Sequence, residues 1–126
     1  MANPLYGQNK LDNFIEKQFA SFAVTLGTAT SNDAYWVAPK SCKVTKVYSA
    51  IGAALTTADE TLAVKSKAGT LGTITITQSS SAAGDVDSIS PSSNNVLAAG
   101  DYIWIDIGGE NGTGCQAVIT IVVEDL

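Results

Sequence analysis

From residue 18 onward, hydrophobic and polar residues alternate along most short segments of the chain. In the first such segment Phe22, Val24 and Leu26 alternate with small polar or apolar residues. Successive side chains of a strand point to opposite faces of a sheet, so this period of two predicts β-strands. The same pattern recurs in residues 35–37, 44–51, 62–65, 73–77 and 102–107, and residues 117–123 are nearly apolar on both faces. No segment shows a sustained helical period with caps, and we expect little helix.

Seven or eight short strands of this kind, separated by turn-forming segments, indicate a β-sandwich or a barrel. Residues 99–101, a tight turn with Gly100 before the long strand 102–107, look like the region near the end of a jelly-roll domain. We therefore predict an all-β fold, a jelly-roll-like β-sandwich. An immunoglobulin-like sandwich ranks second, because Trp36 precedes both cysteines, against the Cys–Trp–Cys order of that fold. A change of phase near Lys46 predicts a β-bulge.

Residues 1–17 differ from the rest, because turn formers there are interspersed with apolar side chains. We divide the chain into an N-terminal arm, residues 1–17, and a β-sandwich domain, residues 18–126. The arm either frays or docks on a neighbouring protein, with Tyr6, Leu11 and Phe14 as its anchors. Neither a basic, apolar leader nor an apolar run of about 20 residues is visible, so we expect the protein to stay where it is made.

Two predicted strands carry apolar side chains on the face opposite their core residues. Tyr102 and Trp104 lie opposite one isoleucine row, and Val118 and Val122 lie opposite the buried side of the last strand. A solvated sheet face normally shows Lys, Glu or Thr at such positions. Two explanations stay open: strands buried under loops, or a subunit interface with closed symmetry such as a trimer.

Charge narrows the choice of partner. The net charge is −5, with seven Lys and no Arg or His. Nucleic acids and anionic membranes attract clustered cationic side chains, and Arg is the residue best suited to phosphate. The lysines are scattered along the sequence, so we expect neither nucleic acid nor membrane as a partner.

The residue types needed for common catalytic and metal sites are missing or isolated. Without His, the usual Ser-His-Asp and Cys-His systems and histidine metal sites are excluded, and Cys42 and Cys115 are too few for a zinc site. No carboxylate pair stands out: Asp85 and Asp87 could share a face but fall in a predicted turn. The glycine-dense segment 108–114 lacks the lysine and helix of a phosphate loop. We expect no enzymatic activity, no cofactor, and free thiols rather than a disulfide.

Aromatic side chains leave one binding alternative open. Trp36, Tyr102 and Trp104 could form a platform on which sugars stack. Aromatic residues that alternate in a strand are more often part of a core or an interface. Carbohydrate binding is therefore a secondary hypothesis.

Several stretches of the chain resemble small capsid decoration (cement) proteins and head-fibre proteins of tailed bacteriophages. They are residues 1–7 (MANPLYG), 36–39 (WVAP), 97–103 (LAAGDYI) and the terminal apolar strand with residues 123–125 (VED). The resemblance is one of general sequence character over most of the chain, and no single motif is diagnostic. It implies a β-sandwich or jelly roll that forms a homotrimer, binds the major capsid protein on the outer lattice and stabilises the head. It also implies a virion protein assembled in the host cytoplasm. A fibre or receptor-binding, carbohydrate-binding module is the alternative, and a cellular oligomeric scaffold is a third possibility.

Overall fold

The computed structural model describes residues 17–27, 33–108 and 115–126. Within these ranges the protein is all-β, and no helix there is long and apolar enough to cross a membrane. The described strands are β1 (Lys17–Thr25), β2 (Ala34–Val37), β3 (Cys42–Ile51), β4 (Glu60–Ser66), β5 (Gly69–Ile76), β6 (Val86–Ile89), β7 (Val96–Leu97), β8 (Tyr102–Ile107) and β9 (Gln116–Asp125).

The strands form two antiparallel sheets. The five-stranded sheet has the order β1-β9-β3-β6, with β7 also paired to β3, and the four-stranded sheet has the order β2-β8-β4-β5. The pairs are nested: β4 pairs with β5, β3 with β6 and β7, β2 with β8, and β1 with β9. With β6 and β7 together in the place of one strand, this is the winding of a jelly roll. The predicted jelly-roll-like β-sandwich is confirmed, and the immunoglobulin-like alternative is wrong.

The core lies between the sheets and is built from the inward-facing residues of the alternating segments. In β8 the three isoleucines are buried, and in β9 Ala117, Ile119, Ile121 and Val123 are buried. The predicted bulge is confirmed by a register shift between Val44 and Lys46 against β9. The extra residue lets both Val44 and Val47 point into the core.

Two strands were not predicted. β6 and β7 are four and two residues long, and they bring the number of described strands to nine. β6 lies at the edge of its sheet, and its residues show no buried position. An edge strand with so little burial leaves no alternation to detect. Placing Asp87 in a turn was wrong, because Asp87 lies in β6 opposite Ser49.

Polar side chains fix the connections. Gly100 has φ of 90°, and Asp101 Oδ2 accepts a hydrogen bond from the Ala98 N–H at 3.0 Å, which closes the predicted turn before β8. The carboxylate of Glu60 is fully buried. It accepts hydrogen bonds from the Gly27 N–H at 3.0 Å and from its neighbouring Thr61 N–H at 3.1 Å. The end of β1 is thereby tied to the start of β4.

Cys42 and Cys115 are free thiols. Cys42 pairs with Asp125 at one end of β9, whereas Cys115 precedes Gln116 at the other end. Ten strand residues span about 30 Å, far beyond the reach of a disulfide. Burial, with a contribution from Asp125, raises the pKa of the Cys42 thiol above its ordinary value.

Candidate functional site

The outer surface of the five-stranded sheet, here called the five-strand face, is largely apolar or small. Strand pairing aligns its side chains in rows that run across neighbouring strands. From β1 outward the rows are Phe19, Val122, Lys46; then Ser21, Thr120, Tyr48, Ser88; then Ala23, Val118, Ala50, Val86. Lys46 is the only charged side chain in these rows, but the row at the end where β1 begins, which is Lys17, Glu124, Lys43 and Val96, carries three charges. The rows that start at Ser21 and Ala23 resemble the uncharged centre of a protein interface more than a solvated sheet face.

Several large apolar side chains of the five-strand face are open to solvent. Phe19 is 74% exposed, Val86 is 60% exposed and Val118 is 46% exposed. Val122, at the centre of the first row, is half-buried. Covering loops therefore do not account for Val118 in the described part of the chain.

The outer surface of the four-stranded sheet, the four-strand face, carries an aromatic cluster of Tyr35, Tyr102 and Trp104. Tyr35 of β2 lies directly opposite Trp104 of β8. Their rings are nearly parallel, with centroids 5.8 Å apart and planes at 8°. The Tyr102 ring meets Tyr35 edge-on, at 5.9 Å and 69°. Both geometries are favourable for aromatic pairs.

Polar contacts hold Trp104 in place. Its Nε1–H donates to Asp33 Oδ2 at 3.0 Å, and Asp33 Oδ1 accepts from the Ile107 N–H at 3.0 Å. On the β4 side, Lys65 Nζ lies 4.6 Å from the centroid of the Trp104 ring and 2.7 Å from Asp106 Oδ2. Lys65 and Tyr35 belong to the strands on either side of β8, so Trp104 has a neighbour on each flank. Tyr35, on the edge strand β2, is 60% exposed and is the most accessible ring of the cluster.

The four residues predicted for an oligomer interface do not form one surface. Tyr102 and Trp104 lie on the four-strand face, and Val118 and Val122 lie on the opposite, five-strand face. Each pair is brought together, but the two pairs are separated by the thickness of the sandwich. A symmetric contact that uses all four would have to join unlike faces of two copies.

The predicted sugar platform needs a correction. Trp36 points away from Tyr102 and Trp104 and packs against the core. Tyr35, which the sequence analysis did not select, takes its place in the cluster. The parity of a three-residue apolar segment does not show which side faces the core, so no signal in the sequence could have decided between Tyr35 and Trp36.

Exposed carboxylates in the loops accept backbone hydrogen bonds. Asp59 Oδ1 accepts from the Gln78 N–H at 2.8 Å, and Asp85 Oδ2 accepts from the Ala82 N–H at 2.8 Å. Among the described residues, no group of three or more His, Cys, Asp or Glu is arranged to hold a metal ion. The predicted arm anchors Tyr6, Leu11 and Phe14 lie outside the described ranges.

Comparison with solved structures relates this geometry to known folds. The chain is similar to a chain of the acidic stable capsid structure of Helicobacter pylori bacteriophage KHP30, with 13% identity and a TM-score of 0.50; the match covers 86% of this chain and 93% of that chain. The chain has a phage capsid-like fold. Weaker matches are a chain of the cyanophage Pam1 capsid asymmetric unit (12% identity, TM-score 0.49, covering 89% and 85%) and CsCBM6-3 from Clostridium stercorarium in complex with cellobiose (13%, 0.48, 90% and 88%). No protein-family model matches the chain, and no curated protein sequence does.

Proposed function

We propose that this chain is a structural protein of a tailed-phage virion, a decoration protein that binds the major capsid protein on the outer lattice and stabilises the head. The observation that carries the proposal is the five-strand face, where exposed apolar side chains and small residues cover much of the sheet and lysines lie beside them at one end. The jelly-roll fold that the chain shares with a chain of the KHP30 capsid structure, and the resemblance of residues 1–7 and 97–103 to decoration proteins, support it.

The mechanism is mass action. A protein that binds the assembled lattice, and not its free subunits, shifts the equilibrium toward the intact shell. In a homotrimer three copies of the five-strand face would engage neighbouring capsomers, and modest contacts would add through multivalency. The protein would act without catalysis or a cofactor, as a component of the virion added in the host cytoplasm.

Co-sedimentation with heads tests the proposal. Heads that lack this chain are prepared from a deletion strain of the phage that carries the gene, and purified chain is added. We expect saturable binding and a higher temperature of head disruption. Phe19→Glu should weaken binding by about tenfold, because it replaces the most exposed large apolar side chain of the five-strand face with a charge. Thr73→Glu, which adds the same charge on an exposed position of β5, is the matched control. Absence of binding by the unaltered chain would overturn the proposal.

The N-terminal arm is tested in the same assay. β1 begins at Lys17, so removal of residues 1–15 leaves every described strand intact. We expect the truncated chain to keep its β-sheet circular dichroism and to lose affinity for heads. Full retention of binding would refute a docking role for Tyr6, Leu11 and Phe14.

Carbohydrate binding is the second candidate function, and the aromatic cluster favours it. An exposed aromatic ring at a sheet edge, with fixed neighbours, is a surface on which the apolar side of a sugar ring could stack. Because Trp104 is flanked by Lys65 and Tyr35, the accessible ring is Tyr35. A fibre or receptor-binding module of a phage would use such a site.

A glycan array, followed by calorimetry with any sugar that binds, separates this candidate from the first. A glycan-binding protein should lose affinity in Tyr35→Ala and keep it in Trp36→Phe, which alters only the core side of β2. Reproducible glycan binding with the same affinity in Tyr35→Ala as in wild type would exclude the aromatic cluster as the site. An array without signal would exclude this second function for the glycans tested.

A further inference from the structure

The sandwich has two ends of opposite charge. We call the end where β1 begins and β9 ends the basic end, and the end formed by residues 52–59 and 77–85 the acidic end. Two contacts show which ends of the two sheets lie together. At the acidic end the Gly27 N–H donates to the Glu60 carboxylate, and at the basic end Lys40 Nζ lies 2.9 Å from Asp125 Oδ2. All six described lysines lie in the basic half: Lys17, Lys40, Lys43, Lys46, Lys65 and Lys67.

Carboxylates are distributed in the opposite way. Three described carboxylates lie in the basic half: Asp101, Glu124 and Asp125. The other six lie in the acidic half: Asp33, Asp59, Glu60, Asp85, Asp87 and Asp106. Six lysines against three carboxylates leave about +3 on the basic half, and the acidic half carries about −6 from the same described residues. Among the described residues, one end of the sandwich is therefore cationic.

The five-strand face concentrates this positive charge beside its apolar residues. Lys17, Lys43 and Lys46 point outward there, with Glu124 as the one outward carboxylate of the described residues in that half. Phe19 lines two apolar depressions, one at the edge between the sheets with Trp36 and Pro39 and a shallower one on the five-strand face with Val122. Val96, 57% exposed, pairs with Lys43 at the far side. We call these outward residues the basic patch: Lys17, Phe19, Lys43, Lys46, Val96 and Val122.

The lysines of the basic patch are only partly engaged within the chain. Lys17 Nζ lies 3.8 Å from Glu124 Oε2, a loose ion pair whose lysine is 64% exposed. Lys46 Nζ donates to Ser90 Oγ at 3.1 Å and lies 5.6 Å from the Tyr48 ring. Lys43 is exposed in the middle of the patch, where a partner's carboxylate could reach it.

We infer that the basic patch is the surface through which this chain docks on the capsid lattice, and that its target is an acidic, partly apolar protein surface. The inference rests on the proposed function and names the contact. Charge complementarity orients the chain, because the acidic end is repelled by such a target and turns away from the shell. Phe19 and Val122 favour a protein target over a nucleic acid, because a phosphate backbone offers no apolar surface to bury them.

Paired charge reversals test the inference on the full-length chain. Lys43→Glu and Lys67→Glu make the same change in net charge at exposed lysines of the basic half. Lys43 lies in the basic patch, whereas Lys67 lies in the turn between β4 and β5 of the other sheet. Co-sedimentation with heads should show about tenfold weaker binding for Lys43→Glu and no change for Lys67→Glu. Lys43→Gln, which only removes the charge, should be intermediate, and wild-type binding should weaken from about 50 to about 300 mM salt.

Each result has a defined meaning. If the wild-type chain does not bind heads, the proposed function fails and this inference fails with it. If the wild-type chain binds and both reversals bind equally well, only the inference is overturned. Binding of a 20-base-pair DNA duplex that is lost in Lys43→Glu would make nucleic acid the target, against the inference. A smaller mass for Lys43→Glu than for wild type in sedimentation velocity would show that a second copy covers the patch, which also overturns it.

Discussion

The two outer faces of the sandwich both carry apolar side chains where solvated sheets carry polar ones, yet they hold them differently. On the four-strand face Trp104 is tied to Asp33 by a hydrogen bond and flanked by Lys65 and Tyr35. On the five-strand face Val118 lies between Ala23 and Ala50, whose short side chains cover little of it. The same alternation in the sequence therefore has two consequences. On the four-strand face Trp104 is held by contacts within the fold, whereas on the five-strand face Val118 is left accessible.

The difference has a simple physical origin in cross-strand neighbours. A large residue opposite another large residue buries surface inside the chain, whereas a large residue between alanines buries little. The aromatic cluster should therefore contribute to stability. The valines of the five-strand face should contribute mainly to binding.

The largest expected effect comes from truncating one residue on each face. Trp104→Ala should lower the free energy of unfolding by about 2 to 3 kcal/mol, below the usual range for a fully buried tryptophan because its side chain is half-buried. Val118→Ala should change it by less than about 0.5 kcal/mol. Urea unfolding followed by circular dichroism measures both values. Equal losses in the two variants would remove the distinction between the faces.

The main architecture can be predicted from the sequence because the core strands have a clear alternation of apolar and polar residues. β8 puts an isoleucine at every inward position, β9 puts Ala117, Ile119, Ile121 and Val123 at its inward positions, and β3 shows its bulge as a break in the alternation. When one face of a strand is buried, its apolar residues recur at every second position, and this period can be recognised without knowing the partner strand. The turn before β8 can also be predicted, because Gly100 and Asp101 are typical turn-forming residues.

Features that depend on pairing could not be predicted. β6 buries no residue fully and its sequence, VDSI, does not alternate, so the sequence predicts no strand there and Asp87 falls in a predicted turn. Tyr35 joins Trp104 only because β2 pairs with β8, and the distance between these strands in sequence hides that contact. The separation of charge has the same origin. Lysines that look scattered along the chain gather at one end because successive strands return there.

An intermediate effect is expected at the tether of the aromatic cluster. Asp33→Ala removes the acceptor of the Trp104 Nε1–H and of the buried Ile107 N–H, and it should cost about 1 to 2 kcal/mol of unfolding free energy. Asp33→Asn keeps one carbonyl acceptor and should lose less. In a Trp36→Phe background, the emission of Trp104 should shift to the red in Asp33→Ala because the indole loses its fixed position.

Asp59→Ala is the control for this tether. It also removes a carboxylate that accepts a backbone hydrogen bond, from Gln78, but the site is exposed and far from the cluster. Its cost should stay below about 0.5 kcal/mol, and Trp104 emission should not move. An equal loss in both variants would show that Asp33 acts as an ordinary turn acceptor and not as a tether.

The smallest expected effect distinguishes tethering by Lys65 from simple packing. Lys65→Met keeps the aliphatic stem but removes both the ion pair with Asp106 and the cation over the Trp104 ring. The loss should be about 0.5 to 1 kcal/mol at low salt, because partly exposed pairs are weak. Lys67→Met is the matched control, since Lys67 is in none of the ion pairs found among the described residues. Raising the salt to about 1 M should shrink the difference between the two variants, because screening weakens the ion pair and leaves packing unchanged. If the difference in unfolding free energy between the two variants does not change with salt, Lys65 supports the aromatic cluster through its aliphatic stem alone.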